Sequence, residues 1–421
     1  MASSHSASRE PMTLLTVFLV LVFGFSLVSR RLERTVLTPP MLFAAAGAAT
    51  SLLPGAVLDL ALDRKVLLLI AELGLVMLLF TDACRIRPAL LRAGRGLPIR
   101  LLTTGMLLTL VLGAAAAVGV LPGLTWWEAG ILAAILAPTD AGLGQVIVTS
   151  ENVPKDIRQS LNVEAGLNDG LSVPFLLLFI ALATAQEGAV APGAALGRFL
   201  VEQLGYGALI GAAIGGGGGW LLGRAHERRT MAAPLAQIGV VALPLFCAIA
   251  CEASGASMFI AAFVAGIAIQ FGFGEADRHS IEFAEDWGQL FNWFVFFLLG
   301  TVAAGTLAQL TPAIVLYAVL SLTVVRMLPV ALALKGTGLD RTTVLFMGWF
   351  GPRGLASIVL GLVYLERETR LAGETTIRLA VVATVLASIF VHGVTALPGT
   401  RWYARRVAAL SPAAPERRDQ G

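Results

Sequence analysis

Several acidic side chains of this 421-residue chain lie inside long apolar runs, where an isolated charge is unusual. The acids are Glu72 and Asp82 in the third apolar run, Asp140 in the fifth, and Glu164 and Asp169 in the sixth. Two basic residues, Arg326 and Arg353, share this setting. A charge inside a bilayer is costly unless it is paired or hydrated, so it marks a functional site. Several acids against two arginines are the arrangement expected of a path for cations.

Two of the apolar runs are interrupted by proline and glycine next to a charge. The fifth contains Ala-Pro-Thr-Asp-Ala-Gly-Leu-Gly at 137–144, and the twelfth contains Phe-Gly-Pro-Arg-Gly-Leu-Ala-Ser at 350–357. Proline removes a helix donor and clashes with the preceding turn, so we expect the fifth helix to break near Thr139 and Asp140. The two runs lie seven helices apart, so their helices point in opposite directions. Such a matched pair indicates an inverted repeat with a binding site at mid-membrane, whereas one break alone would indicate only a packing kink.

The sixth run carries Asn-Val-Glu-Ala-Gly-Leu-Asn-Asp-Gly at 162–170. Glu164 and Asn168 are four residues apart and share a helix face, so Glu164 can orient Asn168 while Asp169 points elsewhere. A single carboxylate can hold a proton or a hard cation, but it cannot hold both comfortably. The pattern therefore predicts a site at which the two compete.

Hard cations such as Na⁺ require oxygen ligands. The expected protein ligands are Asp169, Asp140 and Thr139. An acid of the third run should join them, and we favour Glu72 because it lies nearer to mid-membrane, which leaves Asp82 a funnel or structural role. Arg353 and Arg326 are expected to neutralise surplus acids and to hold the broken helices together.

The composition determines the kind of protein that positions these groups. Apolar residues make up 57% of the chain and charged residues 14%, whereas soluble domains carry about 25% charge. This excludes an ordinary water-soluble enzyme and a disordered protein. The net charge of +3 is not gathered on one stripe, so no nucleic-acid partner is expected. Thirteen apolar runs, each near the roughly 20 residues that a spanning helix needs, predict an all-α polytopic membrane protein.

The basic residues predict how the chain is oriented. Most of the loop arginines and lysines fall on one side of the thirteen-run map, and the cytoplasmic side of a membrane is the side that favours positive loops. We therefore expect the N-terminus outside and the C-terminus in the cytoplasm. Arginine is used far more than lysine, which is typical of a GC-rich bacterial genome and favours a bacterial plasma membrane.

The motifs occur together in the order of a known family. They are Pro-Thr-Asp (138–140), Glu-Ala-Gly-Leu-Asn-Asp-Gly (164–170), Gly-Trp-Phe-Gly-Pro-Arg-Gly-Leu-Ala-Ser (348–357), Asn-Trp-Phe-Val-Phe-Phe-Leu-Leu-Gly (292–300) and Leu-Phe-Thr-Asp-Ala-Cys-Arg-Ile (79–86). In this combination the chain resembles the NhaP/NHE branch of monovalent cation/proton antiporters. The resemblance covers nearly the whole membrane domain.

The resemblance implies a thirteen-helix fold with an inverted repeat, two crossed discontinuous helices and a homodimer. It implies exchange of Na⁺, with Li⁺ or K⁺ as alternatives, for H⁺, without a cofactor, and with Asp169 as the shared carrier. An Asn168–Asp169 pair goes with electroneutral exchange in that family. The implied division is a polar segment 1–11, an antiporter domain 12–400 and a cytoplasmic tail 401–421. Core helices near 65–184 and 311–398 would move against scaffold or dimerisation helices near 12–54 and 196–307.

Two departures from the family pattern leave the detail of the site open. The family often has serine where this chain has Ala165, and proline where it has Ala141. A hydroxyl ligand is therefore missing, and the local shape of the break can differ. The alternatives to electroneutral exchange are an electrogenic antiporter, a passive cation channel with the same acidic lining, and a scaffold that keeps the fold without transport.

Overall fold

The structure is a computed structural model that describes most of the membrane domain. The described residues are 10–32, 35–52, 64–84, 96–140, 142–187, 193, 196–197, 199–273, 278–366, 371–411 and 414–417. The predicted polar segment 1–11 and tail 401–421 lie partly outside these residues, and the arginine-rich segment 85–95 lies wholly outside them. Within the described residues all regular elements are helices, which confirms the predicted fold class.

Fifteen long helices follow one another along the described chain. The first seven are α1 Glu10–Leu32, α2 Pro39–Ala49, α3 Arg64–Cys84, α4 Met106–Val120, α5 Trp126–Leu136, α6 Lys155–Glu187 and α7 Tyr206–Glu227. The others are α8 Ala233–Ser254, α9 Met258–Ala268, α10 Arg278–Thr306, α11 Pro312–Leu322, α12 Val324–Ala333, α13 Arg341–Trp349, α14 Leu355–Glu366 and α15 Glu374–Ala408. A short helix, Leu97–Arg100, and a π-helical turn, Leu101–Gly105, run directly into α4.

Seven helical stretches of the described chain are long and apolar enough to cross a membrane. They are Leu14–Leu32, Leu97–Val120, Lys155–Gln186, Leu235–Ser254, Gly288–Gln309, Pro312–Ala333 and Glu374–Ala408. Shorter apolar helices occur at Trp126–Leu136, Met258–Phe271 and Leu355–Glu366. At 1.5 Å per residue an 11-residue helix such as α5 covers only about half of a bilayer core. The chain is thus a multi-pass membrane protein, and the count of thirteen spans stays a prediction.

Two helix pairs pack so closely that a glycine is required at the contact. A Cβ atom on Gly211 or Gly215 of α7 would collide with the backbone of Ala261 or Ala265 of α9. A Cβ atom on Gly300 of α10 would likewise collide with the backbone of α2. Small residues let backbones approach in this way where lipid supplies no hydrophobic drive between helices. These contacts tie α7 to α9 and α2 to α10.

The C-terminal tail folds back onto the start of α13. The Glu416 side chain is only 2% exposed, and its Oε1 atom accepts the Asp340 N–H at 2.8 Å and the Thr343 hydroxyl at 2.9 Å. The Thr343 hydroxyl also lies 3.0 Å from the Tyr403 hydroxyl of α15. A carboxylate suits this place because a helix N-terminus carries unsatisfied N–H groups and partial positive charge.

We expect Glu416→Ala to lower the stability of the protein, because it leaves the Asp340 amide and the Thr343 hydroxyl without their buried acceptor. The expected loss is about 1–3 kcal/mol, measured as a fall in the thermal unfolding midpoint in detergent. The control is Glu366→Ala, the same change at an exposed position at the end of α14. An equal midpoint in the two variants would show that the tail contact does not stabilise the fold.

Candidate functional site

The two interrupted runs break where the sequence predicts, and the breaks touch. Helix α5 ends at Leu136 and residues 137–140 are not helical, while α13 ends at Trp349 and residues 350–353 are not helical. The Asp140 N–H donates to the Pro352 carbonyl at 2.8 Å. Two discontinuous helices therefore cross here. This hydrogen bond satisfies one backbone N–H group of the first break and one carbonyl of the second, which have no partner within their own helices.

Asp140 binds the backbone on both sides of the crossing. Its Oδ1 atom accepts the N–H groups of Gly142 at 2.7 Å and Leu143 at 3.2 Å, and its Oδ2 atom accepts the Leu355 N–H at 2.8 Å. A Cβ atom on Gly354 would fall on Oδ2, so glycine is needed beside this carboxylate. Three amide donors leave acceptor capacity mainly on Oδ2. Asp140 thus supports the start of α14 and keeps limited acceptor capacity on Oδ2.

Arg353 serves the opposite end of the crossing. The side chain is 0% exposed, and its Nη1 atom donates to the Ala137 carbonyl at 2.7 Å and the Pro138 carbonyl at 3.0 Å. These carbonyls follow the last turn of α5, where a broken helix leaves acceptors unsatisfied and carries partial negative charge. A buried guanidinium supplies both the donors and the positive charge that this end requires.

Asn168 holds Thr139 by two hydrogen bonds. The Asn168 Oδ1 atom accepts the Thr139 N–H at 3.1 Å, and the Asn168 amide donates to the Thr139 hydroxyl at 2.8 Å. Glu164 forms a different contact from the expected one. Its carboxylate pairs with the Arg326 guanidinium through both oxygens, with Oε2 2.9 Å from Nη2. The described contacts of Glu164 therefore join α6 to α12, and that pair lies one helical turn from Asn168.

Asp169 lies at the crossing with an oxygen that no described residue binds. The side chain is 5% exposed, and its buried Oδ1 atom has no hydrogen-bond partner among the described residues. The charges of Asp82 and Asp140 act on it. Asp82 packs over Gly166, three residues before Asp169, with its Cγ atom 3.5 Å from where a Cβ atom on that glycine would be. Helices α3 and α6 and the break after α5 thus bring three carboxylates towards one place.

The structure places the two acids of α3 at different depths. Glu72 is buried and lies ten residues before Asp82, which is about 15 Å along a helix axis. Asp82, to which we assigned a funnel or structural role, is therefore the acid of α3 that faces Asp169. The assignment of Glu72 to the ion remains a prediction, with the helix geometry favouring its neighbour.

A narrow cleft leads to the crossing. It holds about 270 Å³ of empty space, part of which is open to solvent, and it is lined by Thr139, Asp140, Gly144, Ile147, Val148, Leu161, Ala165, Phe350 and Pro352. Ala165 contributes a methyl group to this lining where a hydroxyl would be a ligand. Most of the residues that line this cleft are apolar, and Thr139 and Asp140 supply its polar side chains.

Sequence reasoning missed Ser388, whose hydroxyl accepts the backbone N–H of Arg353 at 2.6 Å. Ser388 is completely buried on α15, 35 residues along the chain from its partner. A lone serine in an apolar run gives no periodic or spacing signal. Only the packing of α15 beside the break reveals the contact.

Comparison with known proteins finds antiporters of similar sequence. The chain is 26% identical over 304 residues to the K⁺/H⁺ antiporter NhaP of Alkalimonas amylolytica, covering 71% of this chain and 51% of that protein. It is also 26% identical over 318 residues to a Na⁺/H⁺ antiporter of Schizosaccharomyces pombe, covering 66% of each. The chain thus spans about half to two thirds of the length of these two relatives.

The fold has a solved counterpart. The structure of the sodium proton antiporter MjNhaP1 from Methanocaldococcus jannaschii at pH 8 matches with a TM-score of 0.72 at 18% identity, covering 95% of this chain and 100% of that one. The family model described as the transmembrane sodium/hydrogen exchanger matches residues 11–402, which is nearly the whole chain. This protein therefore belongs to the sodium/hydrogen exchanger family of membrane transporters.

Proposed function

We propose that this chain is a secondary active antiporter that exchanges a monovalent cation for H⁺ by alternating access, with Na⁺ as the leading candidate and Li⁺ or K⁺ as alternatives. The observation that carries the proposal is the buried Oδ1 atom of Asp169, which is without a described partner beside a crossing of two broken helices. A carboxylate in that situation gains by binding either a proton or a cation, because an unpaired buried charge is costly.

The surrounding oxygens suit a weakly held cation. Thr139 offers its hydroxyl, which is already oriented by Asn168, and Asp140 has remaining acceptor capacity on Oδ2. Asp82 contributes negative charge from α3, so we include it in the site, and Glu72 stays a predicted member. A transport site must bind its ion strongly enough to load it and weakly enough to release it. The Asp169 carboxylate has an oxygen without a described partner, so it can bind the ion. The Thr139 and Asp140 oxygens already accept other hydrogen bonds, so they hold the ion only weakly.

The charges also support electroneutral exchange. Asn168 is neutral, and the Asp140 carboxylate accepts three N–H groups through lone pairs that a proton would compete for. Of Asn168, Asp140 and Asp169, Asp169 is then the group that exchanges its partner. One H⁺ and one monovalent cation carry the same charge, so each turnover moves one for the other without net current.

The contacts suggest which helices move together. Asp140, Arg353 and the Glu164–Arg326 pair link α5, α6, α12 and α14, and the Glu128 carboxylate ties the start of α5 to the Gly373 N–H before α15. We infer that these helices belong to the moving core and that the close pairs α2–α10 and α7–α9 belong to the scaffold. Helix α3 packs on α9 and α10 and also on α6 and α14, so it lies at the boundary.

The remaining features of the proposal follow the sequence. The arginine-rich loops favour an N-terminus outside and a C-terminus in the cytoplasm of a bacterial inner membrane. A homodimer through the scaffold helices is part of the same proposal. No cofactor is expected, since the cation and the proton are both substrates.

The proposal is tested on purified protein in liposomes that contain a pH-sensitive dye. We expect addition of Na⁺, Li⁺ or K⁺ on one side to drive proton movement to that side for at least one of these cations. We also expect the rate to be unchanged when valinomycin and K⁺ gradients clamp the membrane potential at different values, with Na⁺ or Li⁺ as the driving ion. Empty liposomes are the control.

Three other outcomes identify the alternatives. A rate that follows the membrane potential would show electrogenic exchange. Cation flux without proton movement would show a channel. No flux of either kind for any cation, from protein that is folded and correctly inserted, would show a scaffold.

A further inference from the structure

The carbonyl end of α13 is held by a histidine from another helix. Helix α13 stops at Trp349, and the Nε2 atom of His392 lies 2.9 Å from the Trp349 carbonyl oxygen. His392 is 1% exposed on α15, although sequence reasoning gave it no role. The Trp349 ring is held by the same helix, since its Nε1 atom donates to the Thr395 hydroxyl at 3.1 Å. The end of α13 is therefore fastened to α15 at both backbone and side chain.

A hydrogen-bonded chain continues from His392 to the far side of the break. The Ser388 hydroxyl accepts the Arg353 N–H at 2.6 Å and lies 3.2 Å from the Nδ1 atom of His392. A carbonyl can only accept, so we assign the ring proton to Nε2, where it is donated to the Trp349 carbonyl. With Ser388 accepting from Arg353, its own proton is available for Nδ1. The chain therefore joins the backbone of Arg353 to that of Trp349 through Ser388 and His392 and encloses the non-helical residues between them.

The ring has one further polar contact. Its Nδ1 atom lies 3.0 Å from the Ser388 carbonyl oxygen, which a doubly protonated imidazole would use as an acceptor. Because the ring is 1% exposed, a positive charge on it would be costly. The neutral imidazole with its proton on Nε2 satisfies both the Trp349 carbonyl and the Ser388 hydroxyl.

The enclosed segment is the one that holds Asp140. The Pro352 carbonyl accepts the Asp140 N–H, and the Leu355 N–H donates to the Asp140 carboxylate. We propose that His392, acting through Ser388 and the Trp349 carbonyl, is a positioning residue that fixes residues 350–354 and thereby places Asp140 beside Asp169. His392 donates a hydrogen bond to the last carbonyl of α13, as Arg353 donates to the carbonyls that follow α5. This role rests on the proposed exchange activity, although His392 itself touches no substrate.

The test compares two replacements of His392 by the cation dependence of exchange. His392→Leu places an apolar side chain of similar length there and removes the imidazole donor to the Trp349 carbonyl. Among the described residues, that carbonyl then keeps only the Gly351 N–H, so Asp140 is held less precisely. We expect the apparent KM for the transported cation to rise about tenfold, the equivalent of one hydrogen bond. His392→Gln can place an amide N–H near the Trp349 carbonyl and should return the KM to within about threefold of the wild type.

Additivity tests the chain itself. Ser388→Ala breaks the same chain at its middle, so we expect it to raise the KM in the same direction. The double variant His392→Leu/Ser388→Ala should then show no more than the larger single effect, because residues in one network are not additive. His226→Leu, at an exposed position near the end of α7, is the matched control and should keep the wild-type KM.

A purely packing role for His392 would lower the thermal midpoint and the amount of active protein without moving the KM. A wild-type KM in a folded His392→Leu variant would overturn the proposal, as would a KM in His392→Gln as high as in the leucine variant. If His392→Leu does not fold, the proposal is tested with Ser388→Ala instead. A wild-type KM in the Ser388→Ala variant would then overturn the proposal. Absence of exchange in the wild-type protein would instead reject the proposed function, so the two failures are distinguishable.

Discussion

Asp169→Asn is expected to fold and to exchange no cation for protons. Asparagine has the shape of aspartate but cannot bind a proton or neutralise a cation at the crossing. The Oδ1 atom of Asp169 has no described protein partner, so the change breaks no hydrogen bond there. It also removes a buried charge that Asp82 and Asp140 repel. We therefore expect cation-driven proton movement at the level of empty liposomes, together with a thermal midpoint equal to or above that of the wild type.

Asp156→Asn is the matched control for this variant. It makes the same chemical change on the same helix, in the first turn of α6 and thirteen residues before the crossing. We expect it to retain cation-driven proton movement. Exchange at the wild-type rate in Asp169→Asn would remove Asp169 from the mechanism. A midpoint well below the wild type would show that the carboxylate has a structural partner and is not the uncommitted carrier.

Local chemistry made the breaks predictable from sequence. Pro138 removes a helix donor and is followed by Gly142 and Gly144, so an interruption near 137–140 could be predicted from this combination. Proline alone is not enough, since Pro174 lies inside α6 without ending it. The apolar composition similarly leaves few choices besides a helical membrane protein. The number of spans is harder to predict, because half-helices such as α5 are too short to be counted by length and hydropathy.

Contacts between distant helices were beyond the reach of sequence reasoning. The spacing of Glu164 and Asn168 shows that they share a face, but it cannot show that Arg326 arrives there from 162 residues along the chain. The same limit applies to the two acids of α3. Depth in the membrane favoured Glu72, whereas the neighbour that packs against α6 is Asp82. Helix periodicity gives the face of a residue, and tertiary packing decides what it faces.

Glu164→Gln is expected to be among the most destabilising single substitutions at the site. The Glu164 carboxylate and the Arg326 guanidinium are both buried and pair through two hydrogen bonds. Removing the carboxylate charge leaves the Arg326 guanidinium buried without its counter-charge, and its Nε atom already has no described partner. Breaking a buried ion pair in this way costs roughly 3–5 kcal/mol. We expect a large fall in the thermal midpoint in detergent and a matching loss of folded protein.

Removing both partners should do less harm than removing one. In Glu164→Leu/Arg326→Met the buried charges disappear together, and such apolar replacements are often neutral for stability. Arg353, on which Glu164 and Arg326 act with opposite signs, then loses an attraction and a repulsion at once. We expect the double variant to recover most of the midpoint lost in Glu164→Gln, while Glu227→Gln, at an exposed position of α7, leaves it unchanged. A double variant less stable than Glu164→Gln would mean that the pair holds α6 to α12 by geometry that apolar side chains cannot replace.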